Sequence, residues 1–355
     1  MNTSELQCNI IYTPGPVRYL TPFILTLLKW SDCRYRIVAN GCSDSECELL
    51  NAICDLDDRL ELLIMPEKRM VPHGETLDFL HARTDSEYFC FMDSDILAVG
   101  PFLDDFRSDL EGSELFSSCL PLWYNENDIT IPDYFHHMHG IHAYTESGQT
   151  IACDYFVVYN NKVFTETRKA TGVGLAVCGW NDIAAENQKI LQDMGQARSD
   201  YDSGKLLTLL MAARGTKINF RQSDNLNHIG GFTEVGALKG AMLYSRGRAD
   251  RIANLLPGAL GSGLIFMADV WYAWKRGTPE NTRRENLNLV SRMRRRTTTA
   301  RYFYLLIVGL MDDKPVPAVP KLGDAIAEQR LADVTKKIAT LTADVRRNPG
   351  PWQDK

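Results

Sequence analysis

No stretch of this 355-residue chain stays apolar for long enough to cross a bilayer. The run from Tyr302 to Met311 is too short, and the one from Leu255 to Met267 is broken by glycines and a proline. The nine cysteines include no Cys-x-x-Cys pair, which removes the usual redox and zinc-ribbon motifs; Cys42, Cys47 and Cys54 fit no strong metal spacing either. Positive charge is not in excess: the net charge is −6, which excludes a nucleic-acid binder acting through overall charge. A glycine-rich phosphate loop is also missing, since Gly172-Val173-Gly174 stands without the rest of a dinucleotide fingerprint. Neither an internal repeat nor a low-complexity tract is present. The first residues carry no leader-like apolar pattern, and with scattered thiols this leads us to expect a cytoplasmic protein with reduced cysteines.

What is there begins with Tyr88-Phe89-Cys90-Phe91-Met92-Asp93-Ser94-Asp95, an aromatic, apolar run ending on two carboxylates one residue apart. The run reads as a buried strand. On an extended chain, residues two apart point to the same side, so Asp93 and Asp95 are expected to present their carboxylates together. Two adjacent anions repel unless a cation or a shared proton lies between them. Hard divalent cations take oxygen ligands, and magnesium is commonly held by one or two carboxylates plus substrate phosphates. The same three residues also serve as a strand break and turn, and the motif alone fits both roles.

The chain before Asp93 alternates strand-like and helix-like patterns. Cys8–Thr13, Tyr35–Asn40 and Leu60–Met65 are strand candidates, separated by an amphipathic stretch ending near Trp30 and by a polar, helix-compatible segment from Ser43. A helix candidate over Gly74–Ala82 precedes the Asp93 strand. Turn residues close each strand at Pro14-Gly15-Pro16, Asn40-Gly41 and Pro66. This order predicts an α/β fold with a mostly parallel sheet flanked by helices. In such sheets ligands bind at the carboxyl ends of strands.

In these features the sequence resembles the nucleotide-sugar-dependent glycosyltransferases of the GT-A fold, in a family-two-like form. The resemblance runs from about Cys8 to about Gly231 and is carried by Phe91-Met92-Asp93-Ser94-Asp95 after three strands. It implies a Rossmann-like, GT-A-type sheet in which Asp93, Ser94 and Asp95 meet a divalent metal, manganese or magnesium, and a nucleotide-diphosphate sugar. It implies further donor contacts from Thr13 and Pro14, from Asn40 at the end of the second strand, and from His73 and Asp78 in Pro72-His73-Gly74-Glu75-Thr76-Leu77-Asp78. Each of these also fits a turn or a helix cap.

Downstream, Tyr201-Asp202-Ser203-Gly204-Lys205-Leu206-Leu207 is similar to the acidic segment that opens a helix in this family. There the acid is the general base of inverting members, so Asp202 is the candidate to deprotonate an acceptor hydroxyl. The family usually has two consecutive acids, whereas Tyr201 precedes Asp202 here; Asp182 and Glu186, in a polar segment, are the other candidates. An N-cap is the structural alternative for Asp202. His228, in Asn227-His228-Ile229-Gly230-Gly231, matches the histidine that completes the metal site in several branches of the fold. Ile151–Asn161 reads as a core strand and resembles the one passing the donor sugar, which makes Asp154 a donor contact.

Between these motifs, Trp123, Tyr124, Asn125, Glu126, Tyr134 and His136, His137, His139 and His142 have the aromatic and polar composition of a carbohydrate-acceptor pocket. The histidine spacing matches no standard zinc pattern. The expected organisation is a catalytic domain over 1–245, with a donor half over 1–100 and an acceptor half over 101–245. A basic and apolar helical region over 246–314 follows, then a proline-rich linker and amphipathic helix over 315–355. Arginines from Arg283 to Arg301 precede Tyr302–Val308, a pattern that suits either peripheral docking of 283–311 on an anionic membrane or a packed helix with a basic face. Ala327, Leu331, Val334, Ile338, Leu341 and Val345 recur every three or four residues, forming a stripe for packing on the domain or on a second subunit.

The expected activity is therefore sugar transfer from a nucleotide-diphosphate donor to a carbohydrate or lipid-linked acceptor hydroxyl, with no nucleic-acid partner. Two alternatives remain from other classes. A haloacid-dehalogenase-like phosphatase also uses a strand ending in Asp-x-Asp, but Ile96-Leu97 replaces the small residue expected after it. A catalytically silent glycan-binding relative would keep the fold without the chemistry.

Overall fold

The computed structural model describes residues 3–131, 141–196, 198–237, 267 and 283–352. Tyr134, His136, His137 and His139 of the expected acceptor region lie outside the described residues. The chain divides into two compact units. One comprises residues 1–14, 23–120 and 126–228, and the other residues 15–22, 121–125 and 229–355.

The first unit is built on a seven-stranded sheet. Its strands are β1 (Gln7–Tyr12), β2 (Arg34–Ala39), β3 (Leu60–Ile64), β4 (Tyr88–Met92), β6 (Leu115–Ser118), β9 (Phe156–Asn160) and β10 (Ile218–Phe220). Their spatial order is β10-β6-β9-β4-β1-β2-β3. Strands β1 to β4 are parallel neighbours, as the alternating pattern predicts, while β9 runs antiparallel to both β4 and β6. The chain steps outward from β1 through β2 to β3 and then returns to place β4 on the other flank of β1. That reversal makes a switch point between β1 and β4, where the carboxyl ends open a crevice.

Local sequence explains the connections. Ser43 caps the helix Asp44–Cys54 in a reciprocal box with Glu46, satisfying two otherwise orphaned backbone donors. That helix packs on β2 and β3, Phe102–Gly112 packs on β6 and β10, and Asn161–Thr171 packs on β9. Asn161–Thr171 is capped by Asn160 and stopped by Gly172 at φ 69°. The helix Lys205–Ala213, apolar apart from Lys205 and Thr208, is buried along nearly its whole length, and its leucines join Phe89, Phe91, Tyr159 and Phe164 in one core. The expected strand over Ile151–Asn161 is shorter than its apolar pattern. Residues 151–155 are irregular, and the ladder starts at Phe156.

Two further strands are short but consequential. Strand β5 (Ile96–Ala98) pairs antiparallel with β11 (Leu226–His228), with His228 opposite Ile96. Strands β7 (Thr130–Ile131) and β8 (Tyr144–Thr145) form a separate parallel pair.

The second unit is helical in its described parts, with helices over Val17–Leu20, Phe232–Ala237, Arg283–Met311 and Ala325–Arg347. Tyr302, Phe303, Tyr304, Leu306, Ile307 and Val308 are buried in it, and only Leu305 of that run is exposed. Tyr304 packs edge-on against Tyr19, and the Tyr302 hydroxyl meets Thr335 Oγ1 at 3.0 Å. The apolar run is thus largely occupied by packing within the chain. The stripe Ala327, Leu331, Val334, Ile338 and Val345 is likewise buried in the chain itself, so no second subunit is required to cover it. Asp324 caps this helix through the Ala327 amide. Among the described residues no helix is long and apolar enough to cross a membrane.

Candidate active site

The register of β5 on β11 creates the site. Asp95 immediately precedes β5, and the pairing of Ile96 with His228 draws the imidazole in beside it. His228 Nε2 lies 3.0 Å from Asp95 Oδ1 and 3.3 Å from Asp93 Oδ2, off the line of a good hydrogen bond to either. One ligand atom from each of Asp93, Asp95 and His228 falls within 4.8 Å of the others. The imidazole and Asp95 are buried, whereas Asp93 is half-buried. Burial alone would lower the imidazole's pKa, but Asp95 and Asp93 outweigh it and bring it up to about 10. Two carboxylates and an imidazole form a competent donor set for a divalent cation such as manganese or magnesium.

Several other residues come to the same edge. His73 Nε2 is 3.9 Å from Asp93 Oδ1, and its ring stands edge-on to Phe91. The amide of Asp93 donates to the carbonyl of Tyr155, so β9 enters the sheet where β4 leaves it. Asp154 consequently sits at the carboxyl edge, and the Tyr155 ring lies 4.5 Å from that of His228. Thr13 and Pro14 follow β1 at the switch point, where the buried Thr13 hydroxyl has no hydrogen-bond partner. Ser94 is buried between the two acids.

Asp154 is the most unusual of these groups. It is 8 % exposed, and neither carboxylate oxygen has a hydrogen-bond partner. Burial raises its pKa to about 8, against the opposing charge of Lys205 and with help from Asp202 and Asp93. Gly204 makes this approach possible. At φ 75° it tolerates a left-handed turn, and a Cβ there would stand 2.7 Å from Asp154 Oδ1.

Asp202 does not cap the helix beside it; Gly204 occupies the N-cap position. Asp202 Oδ1 instead accepts from the Ser203 amide at 2.9 Å, and the residue is half-buried. Asp182 and Glu186 are both exposed.

The structure commits other candidates to scaffolding. The Asn40 amide is filled by the backbone of Val71, accepting from its N–H and donating to its carbonyl at 2.8 Å each, and it also donates to Thr76. Asn40 thereby ties the loop before the helix His73–His81 to the end of β2. Asp78 accepts from the amides of Leu175 and Ala176 and pairs with Arg168 at 3.3 Å. In the second unit Trp123 is buried, donating to the Gly230 carbonyl, and Arg330 lies over the Tyr124 ring.

Sequence reasoning missed Lys205. Its fully buried ammonium donates to the carbonyls of His142, at 2.8 Å, and Ala152, fastening the segment that precedes Asp154. The signal was present as a lone lysine opening an otherwise apolar helix, Lys205-Leu206-Leu207-Thr208-Leu209-Leu210.

No family model matches the chain, and no curated protein matches it. Solved structures similar to it include S. aureus TarS 1–349, 11% identical, with 97% of this chain and 92% of that chain covered and a TM-score of 0.39. The galactosyltransferase LgtC in complex with donor and acceptor sugar analogues is 12% identical, covering 63% and 86% with a TM-score of 0.31. The 4-diphosphocytidyl-2C-methyl-D-erythritol synthase of Anaerococcus prevotii is 9% identical, covering 65% and 95% with a TM-score of 0.35.

Proposed function

We propose that this chain is a glycosyltransferase that moves a sugar from a nucleotide-diphosphate donor to the hydroxyl of a carbohydrate or lipid-linked acceptor. The observation that carries this is the convergence of Asp93, Asp95 and His228 at the carboxyl end of β4, beside the β1/β4 switch point. These three side chains would hold a divalent cation, which would supply positive charge to a departing diphosphate. Thr13, Pro14, His73 and Ser94 border the same edge and are assigned to the donor. Asp154, with two unclaimed acceptors, is assigned to donor-sugar hydroxyls. Asp202 is assigned as the general base that takes the acceptor proton, with inversion at the anomeric carbon as the outcome. Sequestration of His228 beneath the two acids keeps its ring in place while Asp93 remains open to solvent and ligand.

The test is thermal stability with UDP-, GDP-, CMP- and dTDP-linked sugars, each with and without Mn2+, on the wild-type protein and on Asp95→Ala. One nucleotide should raise the melting temperature only with the metal, and the rise should vanish in the variant. A ligand at 100 times its Kd adds about 2.7 kcal/mol of stability, which such a melt resolves readily. No shift with any compound would overturn the nucleotide-sugar assignment in favour of a phosphatase or a silent glycan binder.

A further inference from the structure

We propose that Cys119 is a positioning residue: its strained backbone turns a carbonyl onto His228 Nδ1 and so fixes which imidazole nitrogen faces Asp93 and Asp95. The inference rests on the assignment of those three side chains as a cation site.

A histidine offers a cation only one lone pair, and the hydrogen bond made by its other nitrogen decides which. His228 Nδ1 lies 3.1 Å from the carbonyl oxygen of Cys119. A carbonyl oxygen can only accept, so the hydrogen belongs on Nδ1. Nε2, at 3.0 Å and 3.3 Å from the two carboxylates, is then the nitrogen left for a metal. Ring orientation and tautomer are thus set from behind, by one backbone atom.

That atom is held by an uncommon conformation. Cys119 has φ 77°, and among the described non-glycine residues only Asp313 shares a positive value. The left-handed region is costly for any side chain carrying a Cβ. Cys119 follows directly on β6, so the turn occurs as the chain leaves the sheet. The peptide plane joining Cys119 to Leu120 is pinned at both of its polar groups. Its carbonyl meets His228, and its N–H donates to Gln222 Oε1 at 2.8 Å. A residue at ordinary negative φ would rotate this plane and lose both contacts. Strain at a buried position next to a polar cluster persists only where the surroundings over-determine it. Here two hydrogen bonds do so.

The experiment measures Mn2+ binding alone, by titration calorimetry, on the full chain and on Cys119→Gly, Cys119→Val and Gln222→Ala, with metal-free melting curves as a fold control. Glycine reaches φ 77° without steric cost, so Cys119→Gly should bind Mn2+ within about twofold of wild type. Valine resists that conformation, and Cys119→Val should weaken binding by about 10–100-fold, the usual range for losing a partner behind a metal ligand. Gln222→Ala, which frees only one end of the peptide plane, should fall between them. In addition, 15N imidazole spectra of the wild-type protein loaded with diamagnetic Zn2+ should show His228 metallated at Nε2 with a hydrogen retained on Nδ1. This readout needs no variant to fold. Metallation through Nδ1, wild-type affinity in folded Cys119→Val, or lost affinity in folded Cys119→Gly would each overturn the inference alone. A wild-type protein that takes up no Mn2+ would overturn the cation site and this inference together.

Discussion

Replacing Asp154 by asparagine should remove a loss of stability that the wild-type protein suffers as the pH rises from about 4 to about 8. The carboxyl is buried, its oxygens have no hydrogen-bond partner, and its pKa stands at about 8 against an ordinary 3.8. Between those values the folded chain keeps a proton that the unfolded chain has released, so stability falls with rising pH. The slope is at most about 1.4 kcal/mol per pH unit, and a window of roughly four units amounts to something on the order of 5 kcal/mol. Asparagine has nearly the same shape and does not titrate. The assay is urea unfolding in metal-free buffer at several pH values from 4 to 9, comparing wild type with Asp154→Asn. The difference between the two curves isolates Asp154 from other titrating groups. It should grow steadily in favour of the variant up to about pH 8 and then level off. A difference that stays constant across the range would refute the argument, because it would mean that Asp154 is ionised in the folded protein throughout.

Two other outcomes are expected. Asp202→Asn should lower kcat by about 10²–10⁴ while leaving the Mn2+-dependent nucleotide stabilisation in place; full activity in that variant would move the general base to Asp182 or Glu186. Ile338→Ala, at a fully buried position of the C-terminal helix, should cost about 2–5 kcal/mol in denaturant unfolding, with a melting temperature independent of protein concentration. A concentration-dependent melt would instead assign that stripe to a subunit interface.

The parallel half of the sheet was legible because β1, β2 and β3 are closed by Pro, Gly or Asn and β4 by Asp93, and because Ser43 and Glu46 announce a capped helix. The position of His228 was suggested by family resemblance, but its physical cause was not visible. It depends on the antiparallel pairing of two three-residue strands far apart in sequence, and runs that short carry no periodicity. Asn40 shows the opposite difficulty. A polar residue ending a strand at a binding edge looks free to meet a ligand, yet its partner is the backbone of Val71, 31 residues away. The C-terminal stripe was clear from its spacing; what it packs against became clear only from burial, since periodicity defines an apolar face without naming its neighbour.

The places where this sequence breaks local rules gather around the end of β4. Cys119 adopts a conformation its Cβ resists, Asp154 is buried without hydrogen bonds, and Lys205 is buried in the first turn of an apolar helix. Asp93 and Asp95 both lie within 3.3 Å of the buried His228 imidazole. Each of these costs stability that an alanine or leucine in the same place would not. A chain retains such costs where the same groups gain something on binding, and three of the groups here, Asp93, Asp95 and Asp154, are carboxyl groups. A cation would relieve the repulsion between Asp93 and Asp95, and hydroxyl donors would satisfy Asp154. If the proposed function holds, the stabilising effects of metal and sugar should be separable. The metal should act through Asp95 with Asp154→Asn leaving its effect intact, whereas loss of Asp154 should fall on the sugar portion of the donor.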